Sequence, residues 1–141
     1  MAVLSRKTKG VMSRPRGTAN RAASAAFSKP VPRSEADYVR RVRSRFGVPQ
    51  RIFARLLSYS ERAVADFENG RRLGDQARRR LAEIDRLQIA LRRVVAAAAI
   101  PNWLQSPNRA FDGLKPVELI ERGEIDRIWR MIFDLESGMP I

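Results

Sequence analysis

From Tyr38 onward, apolar residues return every three or four positions, and no segment alternates with period two over the length of a strand. Tyr38, Val39, Val42 and Phe46 form the first stripe. Ser34 stands before it as an N-cap, with Glu35 and Asp37 in the first turn at the positive end of the helix dipole, and Gly47 is the stop. A second helix is predicted over 49–57, with Ile52, Phe53, Leu56 and Leu57 inward and Pro49 at the first helical position, where a missing N–H costs little. A third starts at Ser60, turns Val64 and Phe67 to one side, and ends at Asn69-Gly70. Leu81, Ile84, Leu87, Leu91, Val94 and Ala98 predict one long helix over 75–99, decorated by Arg78, Arg79, Arg80, Arg86, Arg92 and Arg93. Such a helix suits a spine between domains, a dimer seam, or the closing element of its own core. Pro101 ends it. Ser106-Pro107 and Lys115-Pro116 open two short helices stopped at Gly113 and Gly123. A last helix is predicted over 124–136, burying Ile125, Ile128, Trp129, Ile132, Phe133 and Leu135. The chain reads as all-α.

The first 33 residues break this pattern. Pro15, Gly10, Gly17 and Pro30-Val31-Pro32 interrupt any helix, in a composition of Arg, Lys, Ser, Ala, Gly and Pro. Residues 1–33 are expected to be a disordered basic arm. Their composition is also that of a mitochondrial presequence; Pro15 and the lack of a helical stripe count against that origin.

Charge sharpens the division. The net charge of +13 is distributed as +8 over residues 1–33, +7 over 34–95 and −2 over 96–141. A basic front makes nucleic acid the default partner there, and the change of sign points to a different partner behind. The 141-residue chain has no apolar run near the length of a membrane span. Neither cysteine nor histidine occurs, which removes the usual zinc ligands and the Ser–His and Cys–His nucleophile pairs. Catalysis is therefore disfavoured, and no metal or other cofactor is expected.

The segment from Val48 to Gly70 resembles the helix-turn-helix of phage repressors and the Xre family. Ala54 falls where two helices cross and a small side chain is needed, Leu57, Val64 and Phe67 match the positions that lock the helices together, and Asn69-Gly70 matches the turn after the recognition helix. Ser58 occupies the turn, where glycine or alanine is frequent. By that resemblance Gln50 contacts backbone phosphate, while Ser60, Glu61, Arg62 and Asp66 present the face that meets base edges. Arg62 suits a bidentate contact to guanine, and Arg71 and Arg72 follow the helix toward phosphate. A helix-turn-helix used only for packing would show the same apolar pattern; the acids Glu61, Asp66 and Glu68, which repel phosphate, are what that alternative explains best.

Asn102-Trp103-Leu104-Gln105-Ser106-Pro107-Asn108, then Lys115-Pro116, then Arg122-Gly123 before the last helix, resembles the toxin-binding domain of the Xre/MbcA/ParS antitoxins. The two resemblances together cover about residues 36–141 in the family's order and leave the arm unexplained. After the arm (1–33), they imply three regions: a helix-turn-helix DNA-binding domain (34–74), a connecting helix (75–99) and a toxin-binding domain (100–141). They also imply a protein partner, a RES-domain toxin that consumes NAD and whose active-site entrance the C-terminal domain obstructs. Operator DNA is the second partner, through which the complex represses its own promoter, as a homodimer or a larger hetero-oligomer with toxin in the bacterial cytoplasm. Trp103, Phe111, Trp129 and Phe133 are expected to be core aromatics. The exposed charges Arg109, Lys115, Arg127 and Arg130, with the apolar tail Met139, Pro140 and Ile141, are the expected toxin contacts. Two other readings fit the residues: a helix-turn-helix regulator whose C-terminal module only dimerises, and a general nucleic-acid binder driven by the arm.

Overall fold

The computed structural model of the chain describes residues 34–138; the arm over 1–33 and the tail residues Met139, Pro140 and Ile141 lie outside them. The described residues are all-helical, with seven α-helices and no strand. The helices are α1 (Glu35–Phe46), α2 (Gln50–Leu57), α3 (Glu61–Glu68), α4 (Asp75–Leu91), α5 (Ile100–Leu104), α6 (Pro116–Glu121) and α7 (Ile125–Glu136). Short 3-10 turns at Ala97–Ala99 and Arg109–Phe111 join the later ones. No helix among the described residues is long and apolar enough to cross a membrane.

Local chemistry sets the ends of the first three helices. The Ser34 hydroxyl accepts the Asp37 amide at 3.1 Å and that of Ser60 accepts the Ala63 amide at 3.0 Å, satisfying donors that helix geometry leaves free. Pro49 is the N-cap of α2, one position before the helix proper. Gly47 ends α1 at φ 70°, and a Cβ there would stand 3.1 Å from Cγ of Pro101. The left-handed backbone favours glycine here, and the approach of α5 leaves little room for a side chain.

The buried residues from Val39 to Ile132 form one cluster. α2 lies at its centre and packs against α3, α4 and α6, while α1 packs against α3 and α4, and α7 against α4 and α6. Phe53 and Leu56 are wholly buried, and the ring of Phe53 lies 6.4 Å from that of Phe46. Burying side chains of this size contributes roughly 1.5–3 kcal/mol each.

Two expectations are corrected. The helix predicted over 75–99 ends at Leu91, in a turn over 92–95 followed by extended backbone at Ala96. The four alanines over 96–99 stay exposed; what the break gains is the return of Ile100 and Leu104 to full burial. Arg92 holds the break by donating to the Arg45 carbonyl at 3.0 Å, and Arg93 by pairing with Glu136 at 3.0 Å. In α7, Phe133 is 65% exposed and Leu135 40%, while Met131 is buried. Ile125, Ile128 and Ile132 set the inward face, and Phe133 is rotated about 100° beyond Ile132. Trp129 is only partly buried.

Candidate functional site

The segment expected to be a helix-turn-helix comprises α2, the turn at Ser58 and Tyr59, and α3. Ala54 is buried where the helices cross, and Val64 and Phe67 turn inward from α3. Ser60, Glu61 and Arg62 are exposed at its N-terminal end, and Asp66 is half-buried further along. The turn uses left-handed backbone at Ser58, φ 61°, whose N–H still reaches the Ala54 and Arg55 carbonyls.

The far end of α3 carries a residue the sequence reading placed only as a surface acid. Glu68 is buried, and its carboxylate is the hub of three helices. Arg43 of α1 donates to both oxygens, at 2.7 and 3.0 Å, and Gln50 of α2 donates to one at 3.1 Å. Arg40 reaches the Glu68 carbonyl. The i, i+3, i+4 spacing of Val64, Phe67 and Glu68 already put the acid on the inward face. Gln50 is half-buried, and one of its amide N–H groups donates to Glu68.

Arg71 follows α3 with its guanidinium 5.5 Å from the Phe67 ring centre and 3.8 Å from Asp66. Arg62 and Arg72 are exposed and make no ion pair among the described residues. Arg51, in the first turn of α2, is exposed and equally unpaired there; sequence reasoning did not single it out.

The α1–α4 side is locked by a different set. The Glu35 carboxylate accepts Nε of Arg78 at 2.9 Å and the Leu73 amide at 3.2 Å, which together hold it below the usual carboxylate range. Tyr38 donates to Asp85 at 2.8 Å; burial, with that carboxylate beside it, pushes the phenol up to about 12.

In the C-terminal part, Arg109 is exposed at the start of its 3-10 turn, and Lys115 is half-buried at the N-cap of α6, where its N–H donates to Glu118 at 2.9 Å. Arg127 is held between Asp112 at 3.1 Å and Glu124 at 3.3 Å, above the Phe111 ring. Arg130 is exposed. Arg127 and Arg130 border one groove of about 240 Å³ with Phe111, Met131 and Asp134, while Lys115 does not line it. Met139, Pro140 and Ile141 lie outside the described residues. Of the four aromatics expected in the core, Phe111 is buried, Trp103 and Trp129 are partly so, and Phe133 is largely exposed.

No protein-family model matches the chain, and no curated protein does. Among solved structures, the chain is similar to one in the crystal structure of the M. tuberculosis MbcT–MbcA toxin-antitoxin complex, with a TM-score of 0.63 and 26% identity, over 75% of this chain and 96% of that one. The chain thus resembles an MbcA-like antitoxin in three dimensions.

Proposed function

We propose that the chain is a non-enzymatic bacterial antitoxin that acts in the cytoplasm on two partners. Residues 100–141 hold a toxin and obstruct it, and the helix-turn-helix in residues 34–74 binds operator DNA, so that the complex represses its own operon. Residues 75–99 connect the two, and the basic arm over 1–33 precedes them. The observation that carries the antitoxin role is the structural likeness over 96% of a chain from a toxin-antitoxin complex. The choice of a RES-domain, NAD-consuming toxin rests on the sequence resemblance. DNA binding is supported by the exposed N-terminal end of α3, which carries the unpaired Arg62, and by the unpaired Arg72 that follows the helix. Phosphate contacts by Arg71 and Arg72 would position the chain, and contacts by Ser60, Glu61, Arg62 and Asp66 would read bases. The exposed Arg109 and Arg130, with Lys115, Arg127 and the tail, would face the toxin. A homodimer, or a larger assembly with toxin, suits a duplex target with repeated half-sites.

The test is expression of the neighbouring gene with and without this chain. Growth arrest with loss of cellular NAD from the neighbour alone, relief on co-expression, and co-purification of the two products are expected. A neighbour that is harmless alone, or that fails to co-purify, would overturn the proposal.

A further inference from the structure

Arg80 stands where the helix-turn-helix meets the C-terminal helices. From α4 its Nε donates to the Leu56 carbonyl at 3.1 Å, one NH2 group to the Ile120 carbonyl at 3.1 Å, and the other to Glu83 at 3.0 Å. Leu56 O lies in the last turn of α2, where helix geometry leaves carbonyls without intrahelical donors, and Ile120 O lies in the last turn of α6. Its sequence neighbours behave differently: Arg78 is tied to Glu35 and Asp75 on the α1 side, and Arg79 is exposed with no ion pair among the described residues. Beside Arg80, Arg55 of α2 closes a two-bond fork on Glu121 of α6, at 2.9 and 2.6 Å.

The ends of α2 and α6 are therefore tied to each other and to α4 by two guanidinium groups. The segment that leaves α2 is the helix-turn-helix turn itself. Ser58 holds φ 61°, a conformation that costs energy in a residue with a Cβ, and its hydroxyl is 3.5 Å from the Arg80 guanidinium. Below the turn, an open space of about 450 Å³ separates Ser58 and Tyr59 from Ile120 and Gly123, with Arg80 on its wall. On this side Arg80 holds the end of α2 through the Leu56 carbonyl, beside this open space, and the turn that follows sets the angle at which α3 departs.

We infer that Arg80 is a positioning residue for DNA reading, which fixes the turn from the side of the C-terminal helices and so carries any displacement of α6 to α3. The inference rests on the DNA-binding reading above. It gives the two surfaces a physical connection: a partner that shifts the end of α6 moves an acceptor of the same guanidinium that holds the end of α2. Arginine suits the task because its planar fork serves carbonyls on two helices at once.

The test uses the full chain, a duplex spanning the region immediately upstream of its gene, and a random duplex of equal length. R80M keeps the apolar stem and loses every donor. It is expected to bind the upstream duplex about tenfold more weakly, as loss of hydrogen bonds from a charged group implies, with an unchanged dependence on salt. R80K is expected to recover part of the loss. In the free protein, amides over 58–63 should exchange faster in R80M while those of α1 keep their protection. A salt slope reduced by about one would mean that Arg80 itself touches phosphate, and would overturn the inference. Unchanged affinity, or faster exchange in α1 and α3 alike, would overturn it as well. If the unaltered chain shows no preference for the upstream duplex, the DNA-binding reading fails first. Should R80M lose its helical content, R80Q, which keeps a polar amide but not the fork to both carbonyls, carries the same test with the same outcomes.

Discussion

Arg43 closes a two-bond fork, at 2.7 and 3.0 Å, on Glu68, a carboxylate only 5% exposed at the end of the helix proposed to read DNA. With Gln50 as third partner, the pair joins α1, α2 and α3 through one acid. Replacing Glu68 by alanine strands the Arg43 guanidinium in a partly buried site. The expected cost is roughly 2–4 kcal/mol, below the range for fully buried pairs because Arg43 retains some contact with water. Urea unfolding monitored by helical circular dichroism measures it; a loss under about 0.5 kcal/mol would mean that the network is ornamental.

Arg62 and Arg72 should separate by the kind of DNA binding each supports. Arg62→Ala is expected to lower discrimination between upstream and random duplexes by roughly 1–3 kcal/mol, the worth of a bidentate base contact. Arg72→Ala should weaken both duplexes alike and lower the salt slope by about one. Competition binding at several salt concentrations reads both; discrimination untouched by Arg62→Ala in a folded protein would displace the recognition face from the N-terminal end of α3.

Acid should loosen the chain at two named joints. The hydrogen bonds from Arg78 to Glu35, and from Arg55 to Glu121, hold both carboxyls below their ordinary value of 4.5. A carboxyl with a depressed folded-state pKa stabilises above its unfolded value and loses that contribution as pH falls through the folded one. Stability from these pairs is therefore full above about pH 5 and declines below 4.5. Urea midpoints taken from pH 6 to 3 for the wild type and for Glu35→Gln/Glu121→Gln should converge at the acid end, and parallel curves would exclude the pairs as the cause.

Phe133 should be dispensable for folding and not for partner binding. It is 65% exposed, so Phe133→Asp is expected to change stability by less than about 0.5 kcal/mol. Pull-down of the neighbouring gene product is the measurement, with at least a tenfold loss of affinity expected for an aromatic buried at an interface. Equal capture by the variant would direct attention to the groove beside Arg127 and Arg130.

Deleting residues 137–141 should restore some toxin activity while the two proteins still associate. The deletion removes Met139, Pro140 and Ile141 and leaves the helices that would form most of the contact. Toxin activity in a reconstituted complex decides it, and full inhibition by the shortened chain would remove the tail from the inhibitory surface.

Much of the fold was legible because its rules act within four residues. Ser34, Gly47 and Ser60 announce their helix ends through hydrogen bonds to near neighbours, and Val64 and Phe67 announce their face by spacing. What escaped depends on residues far apart in the chain. α4 stops at Leu91 because Ile100 has a core to return to, which alanine-rich sequence with good helix propensity does not reveal. Phe133 is apolar enough to be expected inside, yet the phase set by three isoleucines turns it out. At the candidate site, the motif position of Gln50 was legible, while its hydrogen bond to Glu68, eighteen residues on, was not. Arg80 sits in a run of three arginines that look alike in sequence and have three different environments.

The 3.1 Å approach that a Cβ at Gly47 would make to Pro101 bears on how such chains can be recombined. A C-terminal half grafted onto another helix-turn-helix brings Pro101 against whatever residue stands at the end of the recipient's first helix, and any side chain there must displace it. Exchange of specificities between relatives is thus favoured between partners that share glycine at this crossing, or in grafts that carry both sides of it. Lineages would diversify by changing exposed positions in concert on one inherited scaffold, and wholesale shuffling of halves would leave chimeras with a wedge in their shared core.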